Sequence, residues 1–513
     1  RVALDGSSLI ETFGPSSNAI LAQSVANGGG NAGLAGAGAK QFHEGDGMMT
    51  NIAIGASASN AARAGGELQV ALGAGTVLRT HGENARGVVL HSVGAGGGAS
   101  QATFVGMPGE VADAVADKLA GIKAPWINIG VGMTGGAGGQ GGQISQLDLD
   151  GGIETFGADA DGVLSQTIGG GGGVGGGFGG SDGADEDDDR PLIDFAVTLN
   201  ELKEQIGRPW SATILLGGAG GSGGKGGDYA VAATETDALR MPTLDGTVVT
   251  HGDYADGVVL QSIGGGGGAG GAAVPEDTLG ILDFSLRLGG TGGTGGQGGA
   301  VGFRLGADAQ VGTEGFGAHG VVLQSIGGGG GMGGSGSRLV AKLKLDDGSE
   351  SGETPGFVNQ DLDTLFGDGE LPLDAAVLRL GLGASGGGGD GSKAGRAEAN
   401  GEGGLIQTTG TAAFGLAVQS IGGGGGMGGV GTAPLTKAEV QLKHIDPDDR
   451  QLFVDNLNAL FRGAHLDFIA GGDGGKGGNG GDALAAGEFR IVTTGARAPA
   501  LLVQSVGGGG GAA

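Results

Sequence analysis

The sequence predicts a mainly β repeat fold, a β-solenoid of parallel stacked coils with glycine-rich segments of polyproline-II type and short helical insertions. Three observations carry this. A strand-like heptamer, Gly257-Val258-Val259-Leu260-Gln261-Ser262-Ile263, runs into five glycines and recurs almost letter for letter from Gly320. Weaker copies put Gln23, Gln166, Gln419 and Gln504 in the slot of Gln261 and Gln324, with His91 filling it in the second copy. Eleven residues before each slot stands a threonine (Thr12, Thr80, Thr155, Thr250, Thr313, Thr408, Thr493), and nine before it a glycine. Self-similarity of this kind is the signature of repeat architectures.

The intervals between slots are 68, 75, 95, 63, 95 and 85 residues. A constant motif with variable spacing predicts a constant coil decorated by insertions. Seven units follow, at about 1–39, 40–106, 128–183, 211–273, 284–337, 373–431 and 466–513. The shortest interval shows the order within one unit. Residues 284–288 alternate apolar and polar, a strand signal. A glycine tract (289–299), a second strand (301–305), the threonine corner, the strand holding Gln324 and a second glycine tract follow. If equivalent strands stack in register, the slot residues come to lie roughly 4.8 Å apart and form an amide ladder, with the neighbouring valines and isoleucines buried on one another.

The glycine tracts have a period of three. Residues 217–227 read GGAGGSGGKGG and residues 471–481 read GGDGGKGGNGG. Three residues per turn is the period of the polyproline-II helix, which makes no hydrogen bonds within itself. Two bare faces in three predict lateral hydrogen bonding to neighbouring tracts, with the third position (Ala219, Ser222, Lys225) turned to water. The competing reading is a flexible glycine linker, which has no reason to keep the phase. The collagen pattern is excluded, since it needs one glycine per triplet with abundant proline.

Four insertions, at 107–123, 190–208, 354–368 and 435–463, read as helices. Asp446-Pro447 before an apolar series and a terminal Gly463 gives a capped start and a glycine stop. Their apolar faces must dock on the repeat array or on a partner. The acidic run at 185–189 reads as a solvated loop.

Composition narrows function. The chain has 513 residues, with 131 glycines, 12 prolines, no cysteine and a formal net charge of −28. Such a polyanion repels phosphate backbones, which argues against nucleic acid as a partner. Lack of cysteine removes disulfides and thiolate metal sites. No apolar run approaches the length of a membrane span, so no membrane insertion is expected within these residues. The seven histidines form no HExxH pattern, the serine after each slot glutamine is not in a GxSxG elbow, and no phosphate-binding GxxxxGK[ST] loop occurs. The residues therefore predict a non-enzyme. His251 and His319 read as surface residues near the corners.

The heptamer and its glycines at 408–426, with a threonine-glycine corner ahead of them, resemble the glycine-rich passenger regions of autotransporter-type surface proteins of Gram-negative bacteria. The resemblance covers all seven repeats. It implies export to the cell surface, a parallel β-solenoid and a structural or adhesive role. It brings no catalytic residues, and the helical insertions depart from the simplest pattern.

Two other readings remain at this stage. Gly223–Asp228 and Gly477–Asp482 each match the GGxGxD part of a calcium-binding repeat. They occur singly, and Asp228 and Asp482 are weak metal candidates for a calcium-stabilised secreted protein. A carbohydrate-binding or carbohydrate-cleaving solenoid would need an exposed aromatic row or an acid cluster, which two Trp and two Tyr make hard to build. The chain stops within a repeat at Gly511-Ala512-Ala513, which predicts a piece of something longer. With a worn first repeat and an open last one, it predicts end-on self-association into rods or fibres. A host or matrix surface ligand is a further expected partner.

Overall fold

The structure is a computed structural model describing residues 1–30, 32, 49–58, 63–100, 126–177, 211–229, 241–273, 282–336, 341–346, 378–430, 436–441 and 464–513. All of it is strand or irregular backbone, and no helix occurs among the described residues. None is therefore long and apolar enough to cross a membrane. The first three helical insertions and the 185–189 run lie outside these residues. Of the fourth, residues 436–441 form the strand Thr436–Gln441, paired with Ala341–Asp346, so this insertion begins as β, while its capped apolar series from Asp446 to Gly463 lies outside the described residues.

Every strand pairing among the described residues is parallel, and equivalent strands of successive repeats lie side by side. One sheet of seven strands is made only of the heptamers: Ile20–Val25, Val88–Val93, Val163–Ile168, Val258–Ile263, Val321–Ile326, Leu416–Ile421 and Leu501–Val506. A twelve-stranded sheet holds the threonine-bearing strands, such as Thr247–Thr250 and Gln310–Thr313, and the strands before them, such as Val301–Leu305. A third sheet of six strands is drawn from the second to the seventh repeats and leads into their first glycine tracts. Its members include Trp126–Val131, Ser211–Leu216, Leu282–Leu288 and Ala464–Ala470, and three of these begin two residues before the unit boundaries drawn from sequence.

Alternation places the core. In Val258–Ile263, Val258, Leu260 and Ser262 are fully buried. Val258 and Leu260 pack with Val248, Phe303 and Leu305 of the twelve-stranded sheet. On the opposite face Val259 meets Val322 and Ala417. One alternation runs against its chemistry. In Leu282–Leu288, Arg287 is fully buried while Phe284 and Leu288 are 38% and 39% exposed. Arg287 stands beside Gly383 in the next strand, where a missing side chain leaves room.

The glycine tracts are ordered by backbone hydrogen bonds between tracts. In each triplet of the first tract, one N–H bonds forward to the same tract of the next repeat: Gly217 to Leu288, Gly220 to Thr291 and Gly223 to Thr294, at 2.7–2.8 Å. The next N–H bonds across to the second tract of the preceding repeat: Gly218 to Gly176, Gly221 to Gly173 and Gly224 to Gly170, each 2.8 Å. The partner numbers rise in the first series and fall in the second, so tracts run parallel within a layer and antiparallel between layers. The third position carries the side chain, and Ser222, Thr291, Thr294 and Gln297 are exposed there. A Cβ at Gly292 or Gly295 would run into the carbonyl oxygen of Gly331 or Gly328.

Candidate functional site: the threonine corner and its ladders

The corner is the part of the repeat that gathers titratable and aromatic side chains. Its geometry starts with the threonine. Thr12, Thr155, Thr250, Thr313 and Thr408 each donate a hydroxyl hydrogen bond, 2.5–2.9 Å, to the carbonyl five residues on. Thr80 does the same to Ala85. Thr493 occupies the same register beside Thr408. Two residues after each threonine, the glycine sits directly over its counterpart. A Cβ on Gly157, Gly252 or Gly315 would meet the carbonyl oxygen of the glycine one repeat before. Four residues after each threonine the backbone is left-handed: Ser16, Asn84, Asp159, Tyr254, Gly317, Ala412 and Arg497 have φ between 54° and 64°. Gly317, Asn84 and Asp159 are residue types suited to that region, whereas Ser16, Tyr254, Ala412 and Arg497 are not, which is why residue type gave no consistent signal of it.

Reading one residue past each threonine reveals a stack that the scattered histidines conceal. Phe13, His81, Phe156 and His251 lie face to face with centroids 4.8, 4.8 and 4.7 Å apart. Carboxylates flank it. Glu11 bonds His81 Nε2 at 2.9 Å, and His251 lies between Glu314 (2.8 Å) and Glu154 (3.4 Å). Arg79 bridges to Glu154 at 2.8 Å. Burial works against charge on His251, but Glu314 and Glu154 together outweigh it and raise its pKa. An aromatic row thus exists in this chain, built from Phe and His rather than Trp and Tyr. His251 and His319 are half-buried links rather than free surface groups.

A second ladder stands six residues past each threonine. Asn18 accepts the backbone N–H of Arg86, Asp161 that of Asp256 (3.0 Å), Asp256 that of His319 (2.7 Å) and His319 that of Phe414 (3.0 Å). Arg86 Nε also bonds Asp161 at 2.8 Å. Burial raises the Asp161 carboxyl against the pull of Arg86. Burial pushes Asp256 up to about 7, with the Asp161 charge adding to it. Burial lowers His319.

The slot residues stand in register across the seven-stranded sheet. Gln166 donates to Gln261 (2.6 Å), Gln261 to Gln324 (2.5 Å), Gln324 to Gln419 (2.7 Å) and Gln419 to Gln504 (2.9 Å). Gln23 reaches His91 Nδ1 at 3.3 Å. The ladder breaks on the far side of His91, whose Nε2 is buried without a partner. Burial, and then Arg86, lowers the His91 pKa. The serine after the slot has a structural task that sequence did not suggest. Ser262 Oγ donates to Gly227 O (2.7 Å) and accepts from Gly299 N (2.8 Å), clipping its strand to two glycine tracts. Ser325 and Ser420 repeat this.

At the calcium-like loops, Asp228 is held by Lys225 (2.6 Å) and by the backbone N–H of Ala300 (2.8 Å). Asp482 lies in a different repeat, its carbonyl accepting from Ala397. No group of three or more metal-ligating side chains occurs among the described residues.

Chemically, the corner joins one repeat to the next through its side chains. Within the row the rings cover one another's faces, while Phe13 at its end and the edge-to-face pair Tyr254–Phe316 stay exposed. No family model, curated protein or solved structure matches the chain.

Proposed function

We propose that the chain is an extracellular structural or adhesive repeat protein of a bacterial surface, passenger-like in its motif, whose strands wind as a parallel β-solenoid that assembles into rods or fibres. One observation carries the reading. The corner residues best suited to chemistry spend their polar atoms on the next repeat or on closing their own corner. The threonine hydroxyls close the corners, the buried aspartates accept backbone N–H groups, and the slot glutamines bond one another. Side chains committed in this way build length and stiffness. The resemblance of the 408–426 motif to surface passengers supplies the location.

Negative-stain imaging of the purified protein tests the reading. Straight rods of uniform width, singly or end to end, are expected. Compact globular particles would refute it.

A further inference from the structure

Along the second glycine tract, triplets such as Gly264–Gly266 leave two peptide groups without a partner among the described residues, and their direction can be derived. In Gly264–Gly266, the Gly264 N–H bonds Ile326 O, and the Gly265 N–H bonds Gly224 O at 2.9 Å. The Gly265 carbonyl accepts from Gly296 at 2.7 Å and the Gly266 carbonyl from Gly172 at 2.8 Å. The Gly266 N–H and the Gly264 carbonyl remain. The peptides are trans, so the N–H and C=O of one peptide point in opposite directions. The Gly266 N–H shares a peptide with the Gly265 carbonyl, which faces the first-tract layer. The Gly264 carbonyl shares one with the Gly265 N–H, which faces it too. Both unused groups therefore point outward. Gly329 with Gly327, and Gly424 with Gly422, repeat the pattern.

Among the described residues, the row of this outer face at Gly266, Gly329 and Gly424 is bare. A Cβ on Gly266, Gly329 or Gly424 would find no atom closer than 3.7 Å. Further along the tract the same face shows Val174, Met332 and Met427, 47%, 52% and 53% exposed. No third position of the second tract is charged among the described residues, in a chain of net charge −28. The first tract differs, with Lys225, Asp390, Lys393 and Lys476 at its third positions.

We propose that a second copy of the chain docks on this face, second tract against second tract, turning the two-layer glycine slab into a four-layer one. Donors and acceptors alternate on the face with the strand spacing in one direction, about 4.8 Å, and the rise of three residues in the other, about 9 Å. Another array of glycine tracts matches both spacings, and its bare row at Gly266, Gly329 and Gly424 permits close approach. The contact continues the bonding that the two layers already make inside the chain. A self-complementary face suits a two-fold pair, and the flexible Met332 and Met427 side chains can repack between the copies. Confining contact to the uncharged face is what a strongly acidic chain permits, and salt should favour it. The pairing is sideways, so it does not depend on the end-on assembly proposed above.

Sedimentation velocity of the intact chain, over a range of concentration and salt, tests this. A dimer strengthened by salt is expected. The double variant Met332→Lys/Met427→Lys should weaken it at least about a hundredfold, from like charges brought together, with the thermal midpoint unchanged. Thr294→Lys/Gln297→Lys adds the same charge to the opposite face and should leave pairing intact. A wild-type monomer at the highest concentration and salt would overturn the proposal. So would association that survives Met332→Lys/Met427→Lys, which would place it at the ends, or equal weakening by both double variants, which would make net charge the cause.

Discussion

The strand half and the glycine half of each repeat stack with the same register but are held by different means. In the strand half, side chains do the matching. Val258 and Leu260 fill the core, Gln261 joins the amide ladder and Ser262 ties the strand to the tracts. In the glycine half, the backbone does it, with N–H···O bonds of 2.7–2.9 Å joining Gly290, Gly293 and Gly296 to Gly271, Gly268 and Gly265 of the facing layer. The first kind of packing absorbs variation, since Ser165, Leu90 and Val418 all occupy the slot of Leu260. The second absorbs little at two positions of the triplet, where small residues such as Ser392 in the place of Gly296 and Ala95 in that of Gly170 are the departures, and almost anything at the third. Order without a side-chain core is possible when each peptide bonds to a neighbouring tract, because a buried peptide group left unpaired is costly.

The sharpest way to break this distinction is by position within a triplet. Gly292→Val or Gly295→Val puts a side chain into the carbonyl of the facing tract and should cost about 3 kcal/mol or more. Thr291→Val or Thr294→Val, on the exposed third position, should stay within about 0.5 kcal/mol. Denaturant unfolding of the four variants distinguishes them, and equal effects would mean that the tracts are linkers.

A smaller effect belongs to the strand half. Asp256, ordinarily at 3.8, is pushed up to about 7 in the folded chain. Between pH 4 and 7 the folded state keeps a proton that the unfolded state gives up, so this group makes stability fall as pH rises, with the full loss above 7. His251, also raised, acts in the same direction, with its contribution lost as pH rises through its folded pKa. His91 and His319, both lowered, act oppositely and cost stability as pH falls below 6.5. Asp256→Asn keeps an oxygen for the His319 N–H. It should flatten the slope between pH 4 and 7 relative to wild type and raise stability at pH 7.5 by about 2 kcal/mol, read from urea midpoints across pH. An unchanged slope would mean that Asp256 is ionised throughout.

The smallest effect expected is a repair. His91→Gln supplies the amide missing between Gln23 and Gln166 and removes a buried nitrogen without a partner. It should raise stability by about 1 kcal/mol. A loss would show that the imidazole contributes more by packing than the ladder would by bonding.

What was legible in the sequence followed from strict spacing. Thr250, Gly252 and Gln261 keep fixed offsets because corner, glycine stack and strand must superpose in every repeat. The triplet phase of 217–227 was legible because two backbone faces tolerate no Cβ. Other features left no pattern of residue type. The left-handed corner residue is Ser, Asn, Asp, Tyr, Gly, Ala or Arg, since the fold around it sets its φ. The Phe13–His81–Phe156–His251 row alternates two residue types and looks like scatter until read in register. Arg287 is buried because Gly383 lies beside it in the neighbouring strand, and no local window contains both.

Amide hydrogen exchange along 289–298, resolved by NMR, tests the central claim most directly. The N–H groups of Gly289, Gly290, Gly292, Gly293, Gly295 and Gly296 all bond to neighbouring tracts or strands, whereas those of Thr291, Thr294 and Gln297 bond to none of the described residues. Protection should therefore follow a period of three, slow-slow-fast, through the tract. Uniformly fast exchange would contradict the lattice, and uniformly slow exchange would contradict the outward direction of every third peptide.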